Sequence, residues 1–173
     1  ESSGRNLLPD SNFPVETVKW SFPSGISIDT ITTFNGCNTV KMINTENRRL
    51  TIPKQYYAEY ETDRYLVSRF YIMCPDVSKI TSNLSAFIAF RKADYSANGF
   101  ILKTIRISDF EDVGNENWLE VSVTGKNEKI DNIYCTFIIQ TDNADAIFYV
   151  ALPKLEYGTA PTPWTPAPED YPE

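Results

Sequence analysis

The feature that most constrains this chain is its rhythm: short stretches of period-two alternation or apolar run, cut repeatedly by turn chemistry. Such stretches fall at 26–34, 37–43, 48–53, 64–74, 84–92, 100–107, 117–124, 132–140 and 145–157. Between them lie Asn-Gly, Pro-Asp, Ala-Asn-Gly, Gly-Asn, Gly-Lys-Asn and Asp-Asn, residues that supply or tolerate turn dihedrals. No window of the ~12 residues a stable helix needs carries a helical period. The best helical candidate is a single turn near Asp109–Asp112. Parallel strands need crossover connections, usually helices, so many strands without helices between them predict an all-β, antiparallel sandwich or barrel.

At 173 residues the chain is long enough for one domain with a real core. Hydrophobic residues make up 42% and charged residues 23%, which excludes wholesale disorder. No apolar run approaches the ~18 residues of a membrane span, and no signal peptide is present, so no membrane insertion is expected. A net charge of −7 opposes nucleic acid, whose phosphates need a positive footprint, and anionic membrane surfaces. With no histidine, Ser-His-Asp and Cys-His chemistry and His-based zinc sites are excluded.

Cys37, Cys74 and Cys135 form no CxxC pair and fit neither a disulfide framework nor a metal cluster. Cys135 alternates with apolar neighbours and reads as a small core residue. Synthesis in a reducing cytosol follows from this cysteine usage. The start, Glu1-Ser-Ser-Gly without an initiator Met, reads as a piece excised from a longer chain. Residues 1–157 read as the sandwich and 158–173 as a Pro-rich extension. Pro161, Pro163, Pro166, Pro168 and Pro172 each lack a ladder donor, which denies that segment a central strand. It is expected to lie on the domain, anchored by Trp164, and then leave as a linker.

The asymmetry of a half-buried strand separates its residues into two faces. Leu66, Phe70, Ile72, Leu84, Ala86, Ile88, Phe90, Leu119, Val121, Val123, Ile133, Cys135, Phe137, Ile139, Phe148, Val150 and Leu152 are predicted to face inward. The opposite set collects Tyr65, Tyr71, Phe87, Trp118, Tyr134 and Tyr149 beside Arg69, Arg91, Glu120 and Gln140. Aromatics amount to 13% of the chain, with ten Tyr, more than a core of this size needs. A second patch is formed by Tyr56, Tyr57 and Tyr60 near Arg48 and Arg49. Acidic clusters at Asp109, Glu111 and Asp112 and at Asp142 and Asp145 lie in turn-like sequence and read as solvated loop charges. No phosphate-cradling glycine motif occurs. No catalytic constellation survives, and the chain is expected to be non-catalytic.

Two motifs bracket the chain. Arg5-Asn-Leu-Leu-Pro-Asp-Ser-Asn-Phe13, followed by Trp20 and Gly25, resembles the entry of jelly-roll carbohydrate-binding modules of the family four and nine type. Ala151-Leu-Pro-Lys-Leu-Glu-Tyr-Gly-Thr-Ala-Pro-Thr-Pro-Trp-Thr-Pro-Ala-Pro-Glu-Asp170 is similar to the exit of such modules in phage tail proteins. The resemblance implies a jelly roll that binds bacterial cell-surface polysaccharide as part of a phage tail or baseplate, in contact with other tail or baseplate proteins. It implies localisation to the virion. No organic cofactor is expected. A structural calcium is implied near the N-terminal segment, where Asp10 and Glu16 are the candidate oxygen donors, although the acidic residue that usually follows the motif Phe is Pro14 here.

The outward set suits that role. A pyranose stacks its C–H face on an aromatic ring, and its hydroxyls match carboxylates, amides and guanidinium groups. The candidate ligand contacts are therefore Trp118, Tyr71, Arg69, Tyr65, Tyr134, Tyr149, Arg91, Glu120 and Gln140. Two rival readings use the same residues. One is an assembly domain with an aromatic protein–protein interface. The other is an accessory module of a polysaccharide-degrading enzyme.

Overall fold

The computed structural model describes residues 4–43 and 48–171; the outermost residues of the expected domain and of its extension, Pro172 included, lie outside the described residues. Ten strands form two sheets. The first has the order β1 (Ile26–Phe34), β2 (Cys37–Met42), β10 (Phe148–Tyr157), β5 (Leu66–Met73), β8 (Trp118–Gly125). The second has the order β3 (Arg48–Thr51), β9 (Tyr134–Thr141), β6 (Leu84–Arg91), β7 (Ala97–Ile105), with the short β4 (Ala58–Glu59) also paired to β9. All these pairings are antiparallel, and the last strand lies inside the first sheet beside the early β2. This is a β-sandwich of jelly-roll type.

Phe70, Ile72, Leu84, Ile88, Phe90, Val121, Cys135, Phe137, Phe148 and Val150 fill the space between the sheets. The Cys135 thiol is pushed up to about 12 by burial, as befits an inert core residue. Two inward assignments fail. Ile133 precedes β9 and is 40% exposed, because the strand begins two residues later than the sequence suggests. Leu152 sits in a bulge between the pairs Ala151↔Tyr71 and Lys154↔Arg69, with φ +45°. The extra residue shifts the facing, so Leu152 turns to the outer side beside Arg69 and Tyr71. The helical turn expected at Asp109–Asp112 extends to α1 (Ile107–Val113), where Asp109 accepts the Arg106 N–H at 2.8 Å. β4 is too short to show a period.

The two sequence motifs pack on one another and on β10. The fully buried Asn6 amide donates to Ser11 Oγ (3.0 Å) and to the Thr165 carbonyl (2.8 Å), while its oxygen accepts from Leu8 N (3.0 Å) and Leu155 N (3.3 Å). Trp164 Nε1 donates to the same Ser11 hydroxyl at 3.1 Å, and Trp20 Nε1 donates to the Pro9 carbonyl at 2.8 Å. Leu8, Phe13 and Trp20 are buried, and Phe13 meets Trp20 edge-on at 5.0 Å. The motif residues thus build a corner of the core.

Beyond β10 the extension crosses the outer side of the first sheet. There Lys154 and Glu156 form an ion pair at 3.4 Å with side chains only 2% exposed. Thr162 closes it: Lys154 Nζ donates to Thr162 Oγ1 (2.7 Å) and Pro163 O (2.9 Å), and Thr162 donates its O–H (2.7 Å) and N–H (3.2 Å) to Glu156. Arg69 Nη2 adds a bond to the Thr162 carbonyl at 2.9 Å. A buried ion pair is tolerable only when its remaining donors and acceptors are met, and the extension meets them. Replacing Thr162 by Val keeps the shape and removes that hydroxyl. The expected loss is about 1–3 kcal/mol in urea unfolding, whereas the exposed Thr159→Val stays within ~0.5 kcal/mol of wild type.

Candidate functional site

Strand pairing divides the predicted outward residues between opposite sides of the sandwich. On the outer face of the first sheet, Tyr71 pairs with Glu120, Met73 with both Trp118 and Tyr149, and Lys154 with Arg69. On the outer face of the second sheet, Arg91 pairs with Tyr134, Ser85 with Gln140, and Phe87 with Ile138 and Leu102. Alternation assigns a residue to a face of its own strand. It carries no information on which strands are neighbours, so one predicted set becomes two.

The first face is largely occupied by the protein itself. The β1–β2 hairpin turns at Asn35-Gly36, both with positive φ (48° and 78°), the geometry that makes Asn-Gly a strong hairpin signal. This turn folds Phe34 onto Tyr71, stacked at 4.6 Å, and against the edge of Trp118 at 4.8 Å. Arg69 is held by Glu120 at 3.2 Å and by the extension. Tyr149 is buried with Lys41 over its ring at 5.9 Å. Tyr65, 47% exposed, carries Lys126 at 5.2 Å. What stays open is a hollow of about 400 Å³ between Asn35, Cys37, Tyr71, Leu152 and Trp164.

The second face is partly open. Phe100 (63%) and Leu102 (49%) are exposed, and Phe87 meets Phe100 edge-on at 5.4 Å. At the Arg91 end stands a tyrosine trio: Tyr95 stacks on Tyr134 at 5.0 Å, and Tyr57 lies 6.0 Å from Tyr95 and 6.5 Å from Tyr134. Arg91 sits over Tyr57 at 5.9 Å and Lys54 over Tyr95 at 5.5 Å, contacts of cation–π type. A hydrogen bond with Tyr95 raises the Tyr134 phenol above its ordinary value, so the Tyr134 hydroxyl is neutral and able to donate or accept at neutral pH. At the far end Arg49 Nε donates to Gln140 at 3.1 Å. Between these ends Thr136 Oγ1 and Arg91 Nε are buried with no hydrogen-bond partner among the described residues.

Local sequence explains the trio. Pro53 has no N–H, and after β3 the edge of the second sheet leaves β9 and returns only at β4, which throws Tyr57 out beside Tyr134. Tyr95 occupies the β6–β7 turn with φ +69°. The turn is pinned by Asp94, which accepts from Ser96 N (3.0 Å) and Ser96 Oγ (2.6 Å), and by Lys92 N to Ser96 O (3.0 Å). A non-glycine residue in this region costs roughly 1–3 kcal/mol and marks a position held by its surroundings. Strand alternation missed Tyr95 because it lies in a turn. The Ala-Asp-Tyr-Ser turn between two strands was the available signal.

The two expected calcium donors have different surroundings. Glu16 is exposed in its loop, and the acidic neighbour of Asp10 is Asp170. Asp10 N donates to Asp170 Oδ2 at 2.9 Å, and Thr17 donates to Asp10 at 2.6 Å. Among the described residues no group of three or more His, Cys, Asp or Glu is placed to hold a metal.

No family model matches the sequence, and no curated protein matches it. Solved structures do. The CBM22-1 xylan-binding domain of Paenibacillus barcinonensis Xyn10C aligns with a TM-score of 0.61 at 11% identity, over 93% of this chain and 99% of that one. TmCBM61, solved with β-1,4-galactotriose, aligns with a TM-score of 0.56 at 13% identity, over 90% and 100%. The CBM22-1–GH10 modules of Clostridium thermocellum Xyn10B, solved with xylohexaose, align with a TM-score of 0.62 at 13% identity, over 95% of this chain and 30% of that one. The fold is the jelly roll of these modules.

Burial raises the Asp170 carboxyl above its ordinary value, and the nearby Asp10 charge adds to this. A folded-state pKa above the unfolded one favours the folded state at low pH and loses that contribution as pH rises through the raised value. Asp170→Asn fixes the neutral form while keeping an acceptor for Asp10 N. Its melting temperature is expected to exceed that of wild type at neutral pH and to converge with it toward pH 4. A difference that grows on acidification contradicts this account.

Proposed function

We propose that the protein is a non-catalytic carbohydrate-binding module whose site is the outer face of the second sheet. The observation that carries this reading is the trio Tyr57, Tyr95 and Tyr134 with Phe87 and Phe100 on one partly open face, edged by Arg91 and Gln140. Flat, nearly torsion-free rings offer sugar C–H faces a large contact at small ordering cost. Arg91, the tyrosine hydroxyls and Gln140 supply donors and acceptors for sugar hydroxyls. The likeness to modules solved with xylohexaose and galactotriose supports the class of ligand. No step of bond making is needed, and the acidic candidates Glu111, Asp112, Asp142 and Asp145 are exposed.

The similarity of the exit motif to phage tail modules supports a tail or baseplate as the setting, and a bacterial cell-surface polysaccharide is the ligand such a setting would meet. Many copies on such a device turn weak single sites into firm adhesion. A second reading, an accessory module of a polysaccharide-degrading enzyme, is favoured by the xylanase chain in which the matching module accompanies a GH10 module. Under either reading the Phe34–Tyr71–Trp118 cluster on the opposite face is a candidate contact for neighbouring protein.

Affinity electrophoresis against xylan, β-1,4-galactan and purified bacterial wall polysaccharide tests the site and separates the settings. Tyr134→Ala is expected to weaken binding about tenfold, equivalent to ~1.4 kcal/mol, with Trp118→Ala near wild type. The reverse pattern moves the site to the first sheet. Retention by wall polysaccharide alone favours the phage setting, and retention by xylan or galactan favours the enzyme accessory.

A further inference from the structure

A cleft of about 620 Å³ lies at the β4 edge, between β4 and the joined terminal segments. Tyr57 and Tyr134 line it, and the same two rings belong to the trio on the second sheet. The sheet face and the cleft therefore meet at these rings. Along β9 the face runs about 20 Å from Gln140 to Tyr134, at ~3.4 Å per residue, and the cleft carries the surface onward past Tyr134.

We infer that the cleft is an extension of the glycan site and takes a further, uncharged sugar of the same chain; this rests on the outer face of the second sheet being that site. Its walls are fixed before any ligand arrives. Tyr60 donates its hydroxyl to the Arg64 carbonyl at 2.7 Å, and Tyr157 accepts the Glu61 N–H at 3.0 Å. The Tyr60 and Tyr157 rings stack at 6.4 Å, and burial pushes the Tyr157 phenol up to about 12. Ile133, 40% exposed, and Tyr56 offer apolar surface, while Lys19 and Glu59 stand at the lining with a donor and an acceptor. Arg5 is engaged by Glu169 at 3.7 Å and Glu61 by Arg64 at 2.7 Å, which leaves Lys19 and Glu59 as balancing charges at the lining. A neutral sugar suits that balance. Preorganised walls spare the ordering cost that binding otherwise carries.

The test is a titration of the isotopically labelled protein with neutral tri- and hexasaccharides of xylan, β-1,4-galactan and cellulose, read by amide shifts and calorimetry. The same titration is repeated on Ile133→Trp, which fills the cleft. For a polymer that binds, the hexasaccharide is expected to bind about tenfold more tightly than the trisaccharide and to shift the amides of Lys19, Glu59 and Ile133 as well as those of Arg91 and Phe100. Ile133→Trp erases the gain and leaves the trisaccharide affinity unchanged. Should this variant unfold, the shift map of the wild-type protein decides alone. Hexasaccharide shifts confined to the sheet face overturn the extension and leave the site reading intact. Shifts centred on Phe34, Tyr71 and Trp118, or no shifts with any glycan, overturn the site reading and the extension with it.

Discussion

The side-chain amide of Asn6 is the point on which the two ends of the chain meet. An amide has two N–H donors and an oxygen with two lone pairs, and here all four are used inside the protein. They bind the N-terminal loop to itself, to β10 and to the extension. A buried amide left unpaired costs about 1–3 kcal/mol per group, so the segments it joins stand or fall together. The Lys154–Glu156 pair acts in the same sense on the outer face of the first sheet, where Thr162 supplies what the two charges lack.

This arrangement divides the sandwich into a structural side and a free side. The first sheet carries the last strand, the extension and a hairpin tip, and these use its outward groups: Arg69, Tyr71, Trp118 and Tyr149 all have protein partners. The second sheet holds no terminal strand. Its outer face keeps exposed rings, and Thr136 Oγ1 and Arg91 Nε have no hydrogen-bond partner among the described residues. Where ring surface remains exposed on that sheet, contact with a ligand is still to be gained.

The terminal motifs owe their recognisability to the same physics. Asn6, Leu8, Phe13, Trp20 and Trp164 are a hydrogen-bonded, packed corner, and their side chains serve each other. A resemblance resting on them speaks for the fold, which the solved structures share at 11–13% identity. Ligand choice lies in the turns and edges that hold Tyr57 and Tyr95, where local backbone geometry sets ring positions.

By itself the sequence determined the all-β class, most strand positions and, Ile133 apart, the inward set from Phe70 to Val150, because alternation with period two is a local property that burial on one face enforces. It also determined the absence of histidine chemistry and the Asn35-Gly36 hairpin. Only the tertiary structure decided that Tyr71 and Trp118 lie on one side and Tyr134 and Arg91 on the other, since sheet membership is a pairing between distant segments. It alone turned Leu152 outward, because a bulge adds one residue without leaving a compositional mark. And it alone brought a turn residue, an edge residue and a strand residue together as Tyr95, Tyr57 and Tyr134, a proximity that arises from closing the second sheet and from nothing in the spacing of those tyrosines.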